Sequence, residues 1–279
     1  MQVVGIGTGG SQIVALLGEK PQYEALAVDS SFKEELGCVK QIKIEKQETF
    51  KDYEEKTTLD LNKHLGYNEV HVFLFGGGKT TGCVLKVLET IRDKKITINY
   101  ISPEQNFLSN KQKLRERATQ AILQELARSG IFKRINLFNT SEILKTREVS
   151  FLEKKEVVAK EIADIFHMIN YFKNTEGVFS NAENPSEINR ICSFGVVNPQ
   201  NGEETLYFPL DSRREKCYYF IMNQDSLQTP GLVEKINDQL ERDDASCSFK
   251  IVESEWETNH VYVEAFTNVV QTSQNQTEE

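Results

Sequence analysis

The sequence predicts an α/β protein: a parallel sheet covered by helices on both faces, then a long central helix, then a smaller α+β part. Three observations carry this reading. Apolar strand-like runs alternate with helical patterns through roughly the first 140 residues, the signature of a parallel sheet. Two strand-to-helix joints are glycine-rich: Gly5-Ile6-Gly7-Thr8-Gly9-Gly10-Ser11 and Gly76-Gly77-Gly78-Lys79-Thr80-Thr81-Gly82. Beyond residue 175 the pattern changes to runs of strands with one short helix.

The elements follow in order. Gln2-Val3-Val4 is a strand that passes directly into the first glycine turn. Tyr23–Val28 is the second strand, closed by Asp29, and Gln41–Ile44 is a short third. Val70–Phe75 is the fourth and hands over to the second glycine turn. Residues 79–94 read as a helix with Val84, Val87, Leu88 and Ile91 on one face. Ile96–Ile101 is the fifth strand, ended by Ser102-Pro103 because proline disfavours helix in the residue before it. A long helix spans 109–129, with Leu114, Ala118, Ile122 and Leu126 as its core face and Gly130 as its stop. Arg134–Phe138 is the sixth strand.

Residues 150–174 carry a helical pattern with a wide apolar stripe: Val157, Val158, Ile162, Ile165, Phe166, Ile169 and Phe172. Such a stripe predicts a helix between two layers. Strands then fall at Ile191–Val197, Thr205–Phe208, Lys216–Met222, Ser248–Val252 and Val261–Phe266, divided by a helix over Gly231–Leu240. The predicted division is a nucleotide-binding domain over 1–149, the central helix over 150–175, an α+β domain over 176–270 and a polar, disordered tail over 271–279.

Composition narrows the classes. A net charge of −9 repels the nucleic-acid backbone and argues against direct nucleic-acid binding. No apolar run reaches the ~18–20 residues that span a bilayer. The first residues lead straight into a strand without a charged leader, so a cytoplasmic protein is expected. The five cysteines are scattered without CxxC spacing and read as free thiols, His64, His71 and His260 share no metal-ligand spacing, and His167 reads as a structural side chain of the helical stripe, so no protein-held metal is expected.

Glycine lets a backbone come within hydrogen-bonding distance of a phosphate and take positive φ, and a helix start offers free N–H groups with partial positive charge. Two such turns about seventy residues apart predict one nucleotide held from two sides. Gly5, Gly7 and Gly10 satisfy G-x-G-x-x-G, and Asp29 follows Gly10 by nineteen residues. That is a Rossmann-like dinucleotide fingerprint with its ribose-binding acid, and it admits an NAD-dependent oxidoreductase. The second turn is no Walker loop, because that pattern needs glycine at position 73, which is Phe73.

Taken together, an apolar strand, a glycine turn, a strand ending near an acid, and Gly76–Gly82 opening a helix resemble the tubulin and FtsZ superfamily of polymerising GTPases. Ser102-Pro103 with Phe107 resemble the segment after that family's fifth strand, and Leu137-Phe138-Asn139-Thr140 the loop whose asparagine contacts ribose or base. The likeness runs in order over roughly residues 2–268. It implies that GTP or GDP, with Mg²⁺, sits against Gly5, Gly7, Thr8, Gly9, Gly10, Ser11, Asp29, Gly76, Gly77, Gly78, Lys79, Thr80, Thr81, Gly82 and Asn139. It implies a head-to-tail homopolymer, with GTP hydrolysis completed at the subunit interface by Asn181, Glu183 and Glu187 from the loop after the central helix. The short chain is similar to the compact phage- or plasmid-borne members.

Departures from the family pattern bear on this. Lys79 and Thr80 stand where the family has threonine and glycine; a side chain at position 80 crowds the phosphates, and the charge of Lys79 compensates. The loop after the third strand, Glu45–Lys51, holds no glycine to sense a γ-phosphate, and Glu187 falls one residue late for the family's second acid. Three functions therefore stay open: a GTPase that forms filaments, a degenerate member that assembles or binds a partner without hydrolysis, and the NAD-dependent oxidoreductase.

Overall fold

The structure, a computed structural model, describes residues 1–32, 35–145 and 147–272. It divides into two compact units: Met1–Ala163 with the C-terminal segment from Val270, and Asp164–Val269.

The first unit begins with β1 (Gln2–Ile6), α1 (Gly7–Gly18), β2 (Glu24–Asp29) and β3 (Lys40–Lys43). Then come α2 (Phe50–Lys56), β4 (Glu69–Phe75), a 3-10 turn over Thr80–Cys83 and α3 (Val84–Glu89). β5 (Lys95–Ser102), α4 (Asn110–Arg128), β6 (Arg134–Asn139) and the short α5 (Thr140–Leu144) follow, and α6 (Lys154–Asn174) starts in this unit. The strands lie in the order β3-β2-β1-β4-β5-β6, and every neighbouring pair is parallel. Both faces are covered. Along β1 and β4 consecutive residues such as Val3 and Val4, or Val72, Phe73 and Leu74, are all buried. That is why these strands read as unbroken apolar runs rather than alternating ones.

Most expected elements stand within a residue or two of their places; the helix expected over 79–94 ends at Glu89, the one expected over 150–174 starts at Lys154, short helices at Thr140–Leu144 and Gln224–Leu227 and a short strand at Phe179–Ser180 are additional, and two exceptions are larger. α2 was not foreseen, although its capping box is legible: Thr49 accepts from the Asp52 N–H while Asp52 accepts from Thr49. The second exception is the face of α4. Its cap at Ser109 and the turn at Gly130 are as expected, but the predicted core face is turned outward. Leu114 is 70% and Ile122 45% exposed, Ala118 is exposed, and Leu126 is half-buried. The buried positions are Glu116, Gln120, Leu123, Gln124 and Ala127. The reason is hydrogen bonding from distant segments. The Tyr100 hydroxyl and the Gln105 amide donate to the Glu116 carboxylate. The Gln124 amide donates to the Gln271 carbonyl and its oxygen accepts the Gln271 N–H. Polar side chains satisfied in this way are stable inside.

The second unit takes the C-terminal half of α6, then β7 (Phe179–Ser180), β8 (Ile191–Val197), β9 (Glu204–Leu206) and β10 (Glu215–Met222). α7 (Gln224–Leu227), α8 (Leu232–Leu240), β11 (Ser246–Glu253) and β12 (His260–Thr267) complete it. Its strands run β8-β12-β10-β11-β7 with β9 on β8, all antiparallel except β10 with β11. Tyr218, Ile236, Phe249, Ile251, Val261 and Val263 form its core, with Leu232, Val233 and Leu240 of α8 packed on them. Of the stripe predicted on the central helix, Val157 is half-buried and the other six residues are buried. Of the predicted tail, residues 273–279 lie outside the described residues.

Candidate functional site

The first glycine turn is built without a loop. β1 ends at Ile6 and α1 begins at Gly7, whose φ is +75°. That left-handed value admits glycine readily and other residues only under strain. No side chain caps the start of α1, so N–H groups of its first turn stay available. The neighbouring glycines have another cause. A Cβ on Gly5 would lie 2.3 Å from the Gly10 carbonyl oxygen, and one on Gly10 2.4 Å from the Phe73 oxygen. A Cβ on Gly9 would lie 2.4 Å from the Phe75 ring. These three let α1 lie close to β1 and β4. Thr8 is exposed, and the buried Ser11 hydroxyl has no hydrogen-bond partner among the described residues.

The second turn leaves β4 through Gly76, whose N–H donates to the Ile101 carbonyl, and Gly77 at φ +75°. The Thr81 hydroxyl donates to the Phe75 carbonyl and closes the turn. A Cβ on Gly76 would fall 2.2 Å from the Tyr100 hydroxyl, and one on Gly82 2.2 Å from the Phe50 oxygen. Gly78 differs: a Cβ there would meet only the Thr81 hydroxyl, at 3.3 Å. Gly78 and Lys79 are exposed, and among the described residues Lys79 has no hydrogen-bonded or ionic partner. Behind the turn, burial pushes the Cys83 thiol up to about 11, and burial with the neighbouring Glu116 pushes the Tyr100 phenol well above its usual range.

The two turns meet. The direction of a Gly7 Cβ ends 3.6 Å from the Thr80 Cβ, so the Thr80 side chain stands in the space between them. Asp29 lies beside the first turn and is buried. It accepts the Thr8 hydroxyl at 2.8 Å and the Ser30 N–H at 2.7 Å, so both carboxylate oxygens are held by the protein. Asn139, opposite Ser102 at the ends of β6 and β5, caps α5 by accepting the Ser141 N–H at 2.8 Å. The Ser102 hydroxyl at the same edge is buried without a hydrogen-bond partner among the described residues.

Next to these groups a cavity of about 560 Å³ opens among Phe75, Leu108, Thr140 and Val158. Its walls carry Phe107 and Phe151, edge to face at 5.6 Å, and the 68%-exposed Phe151 has little other cover. Lys154 sits 5.2 Å from the Phe107 ring and pairs with Glu104 at 2.8 Å. Phe75 therefore touches both this cavity and Gly9 of the first turn. Sequence reasoning named Phe107 but missed Phe151, Leu152 and Lys154. The signal was there, in two large apolar residues next to the start of a helix with no core position to fill.

The three expected catalytic residues lie in the second unit, on the segment between β7 and β8. Asn181 accepts the Phe249 N–H at 2.7 Å, which fixes the start of the segment. Glu183 and Glu187 are exposed. In the first unit, the glycine-free segment after β3 leads into α2, where Arg115 of α4 rests 5.1 Å from the Phe50 ring.

A six-stranded parallel sheet in the order 3-2-1-4-5-6 fits a dinucleotide fold as well as other nucleotide-binding folds, so strand order alone does not choose. The complete architecture does. CetZ from Methanosaeta thermophila superposes with a TM-score of 0.73 at 9% identity, over 96% of this chain and 86% of that one. CetZ2 from Haloferax volcanii, a GTPγS-bound protofilament, gives 0.71 at 12%, over 98% and 94%. An FtsZ dimer from M. jannaschii gives 0.68 at 11%, over 99% and 93%. No family model matches the sequence, and no curated protein matches it significantly. The chain has the tubulin/FtsZ-like fold, as the sequence resemblance implied. No helix among the described residues is long and apolar enough to cross a membrane.

Proposed function

We propose that this chain binds GTP at the meeting point of its two glycine turns and assembles head to tail into filaments, with hydrolysis completed at the contact between copies. One observation carries the reading: two positive-φ glycine turns converge on one sheet edge, beside an aromatic-walled cavity. Free N–H groups of the first turn of α1 and of Gly77–Lys79 would receive the phosphates. A planar base would lie in the cavity against the Phe107–Phe151 pair. Among the described residues no three His, Cys, Asp or Glu side chains are grouped to hold a metal ion, so Mg²⁺ would arrive on the triphosphate. Glu183 or Glu187 of the next copy would take a proton from the attacking water, giving GDP and phosphate.

Two observations favour a second reading, in which the chain assembles without hydrolysis. Thr80 fills part of the gap between the turns, and Asn181 is already committed to backbone. The NAD reading has less support, since both oxygens of Asp29 are occupied by Thr8 and Ser30.

The test is thermal unfolding with GTP, GDP and NAD, together with sedimentation in the same three conditions and with none. The proposal expects stabilisation by guanine nucleotides alone and sedimentation with GTP. Equal sedimentation without nucleotide selects the second reading, and stabilisation by NAD alone selects the oxidoreductase. Thr80→Gly should tighten GTP binding by about tenfold, or about 1.4 kcal/mol; unchanged affinity would mean that Thr80 does not face the phosphates.

A further inference from the structure

The segment that carries Glu183 lies beside a cavity of about 620 Å³ in the second unit, lined by Glu183, Ser186, Asn189, Arg214 and Glu215 among others. The floor of this cavity is built. The Ser186 N–H donates to both Glu215 carboxylate oxygens, at 3.2 and 3.0 Å, and the Asn189 side-chain amide donates to the same carboxylate. Asn189 is only 5% exposed, yet its side-chain oxygen has no hydrogen-bond partner among the described residues. A buried acceptor without a donor is the group that a ligand N–H would satisfy. Arg214 and Glu215 carry opposite charges here, so Glu183, which has no ionic partner among the described residues, sets the sign of the mouth. Negative charge and an orphan acceptor lining one cavity fit a compact cation with several N–H donors, which is what a lysine ammonium is.

We infer that this cavity receives the Lys79 ammonium of a neighbouring copy, Glu183 supplying the charge and the Asn189 oxygen the buried acceptor. The inference rests on the head-to-tail reading, which brings the second glycine turn of one copy against the 181–190 segment of the next. Lys79 is the exposed cation on that turn, and it has no partner within its own chain among the described residues. Charge complementarity across such a contact fixes which copy docks and in what register.

The test uses the full chain with a non-hydrolysable GTP analogue, so that turnover does not affect the readout. Lys79→Glu and Glu183→Lys are each made and checked by circular dichroism for an unchanged fold. Each places like charges across the contact and should raise the concentration needed for sedimentation by about tenfold or more. An equimolar mixture of the two variants should sediment near the wild-type concentration, because alternating copies restore an opposite-charge pair at every contact. Single variants that sediment like wild type overturn the inference. So does a mixture that stays soluble, the outcome expected if Lys79 serves only the phosphates of its own chain. Wild-type protein that never sediments overturns the head-to-tail reading itself, and a failed mixture beside sedimenting wild type overturns only this contact.

Discussion

In the first glycine turn, packing demands three of the four glycines and backbone conformation demands the fourth. Gly5, Gly9 and Gly10 exist because α1 presses on β1 and β4, and Gly7 because the chain passes from strand to helix in one residue at φ +75°. The second turn has a different balance. Gly76 and Gly82 are demanded by packing and Gly77 by conformation, but Gly78 has no positive φ, and a Cβ there would meet only the Thr81 hydroxyl, at a tight 3.3 Å. The glycine on which the fold makes the weakest demand is the one whose presence points to a ligand. The backing differs too. Behind the second turn stand Tyr100, Glu116 and Cys83, whereas Asp29 beside the first is hydrogen-bonded in its own corner.

This difference can be broken by substitution. Gly10→Ala sets a Cβ against a backbone oxygen that cannot move aside, and should cost more than about 3 kcal/mol in urea unfolding. Gly76→Ala meets side-chain atoms and should cost less. Gly78→Ala should leave stability within about 1 kcal/mol while GTP binding falls at least tenfold. A Gly78→Ala protein with normal affinity would remove the ligand-based reason for that glycine.

Alkaline pH should separate the turns next. The Cys83 thiol is held protonated up to about 11 by burial, and Tyr100 is raised in the same direction by burial and Glu116. A group raised in the folded state contributes stability that is complete below its unfolded value, near 9 for a thiol, and is lost as pH climbs through the folded value. Between about pH 9 and 11, hydrogen exchange should therefore quicken at 76–83 before it quickens at 5–11. Simultaneous loss would argue against a separately backed second turn.

The smallest effect belongs to the outer face of α4. Leu114→Gln should change stability by less than about 0.5 kcal/mol, because Leu114 is exposed while Glu116, two residues on, backs the second turn. A cost of several kcal/mol would return Leu114 to the core.

Much of this was legible. The inner strands of the first unit announce themselves because both faces are covered, so apolar residues follow one another without alternation, as at Val3-Val4 and Val72-Phe73-Leu74. The glycine turns announce themselves because clashes and positive φ exclude other residues. The α4 face was misread because sequence polarity records what a side chain is, and not whether Tyr100, Gln105 or Gln271 will come to meet it. Phe107 was legible as part of a motif, but the cavity it shares with Phe151 was not, since about forty residues separate the two rings and only folding makes them neighbours.

By itself the sequence determined the alternation of strands and helices, the two turns and the likeness to polymerising GTPases, because all of these follow from local periodicity, local sterics or ordered motifs. Tertiary structure alone decided which glycines serve packing, that Thr80 stands between the turns, that Asp29 is spent on Thr8 and Ser30, and that Asn189 keeps an acceptor unpaired. Each of these is a distance between atoms far apart along the chain. Such distances are fixed when the sheet closes and the helices dock, and no window of the sequence contains them.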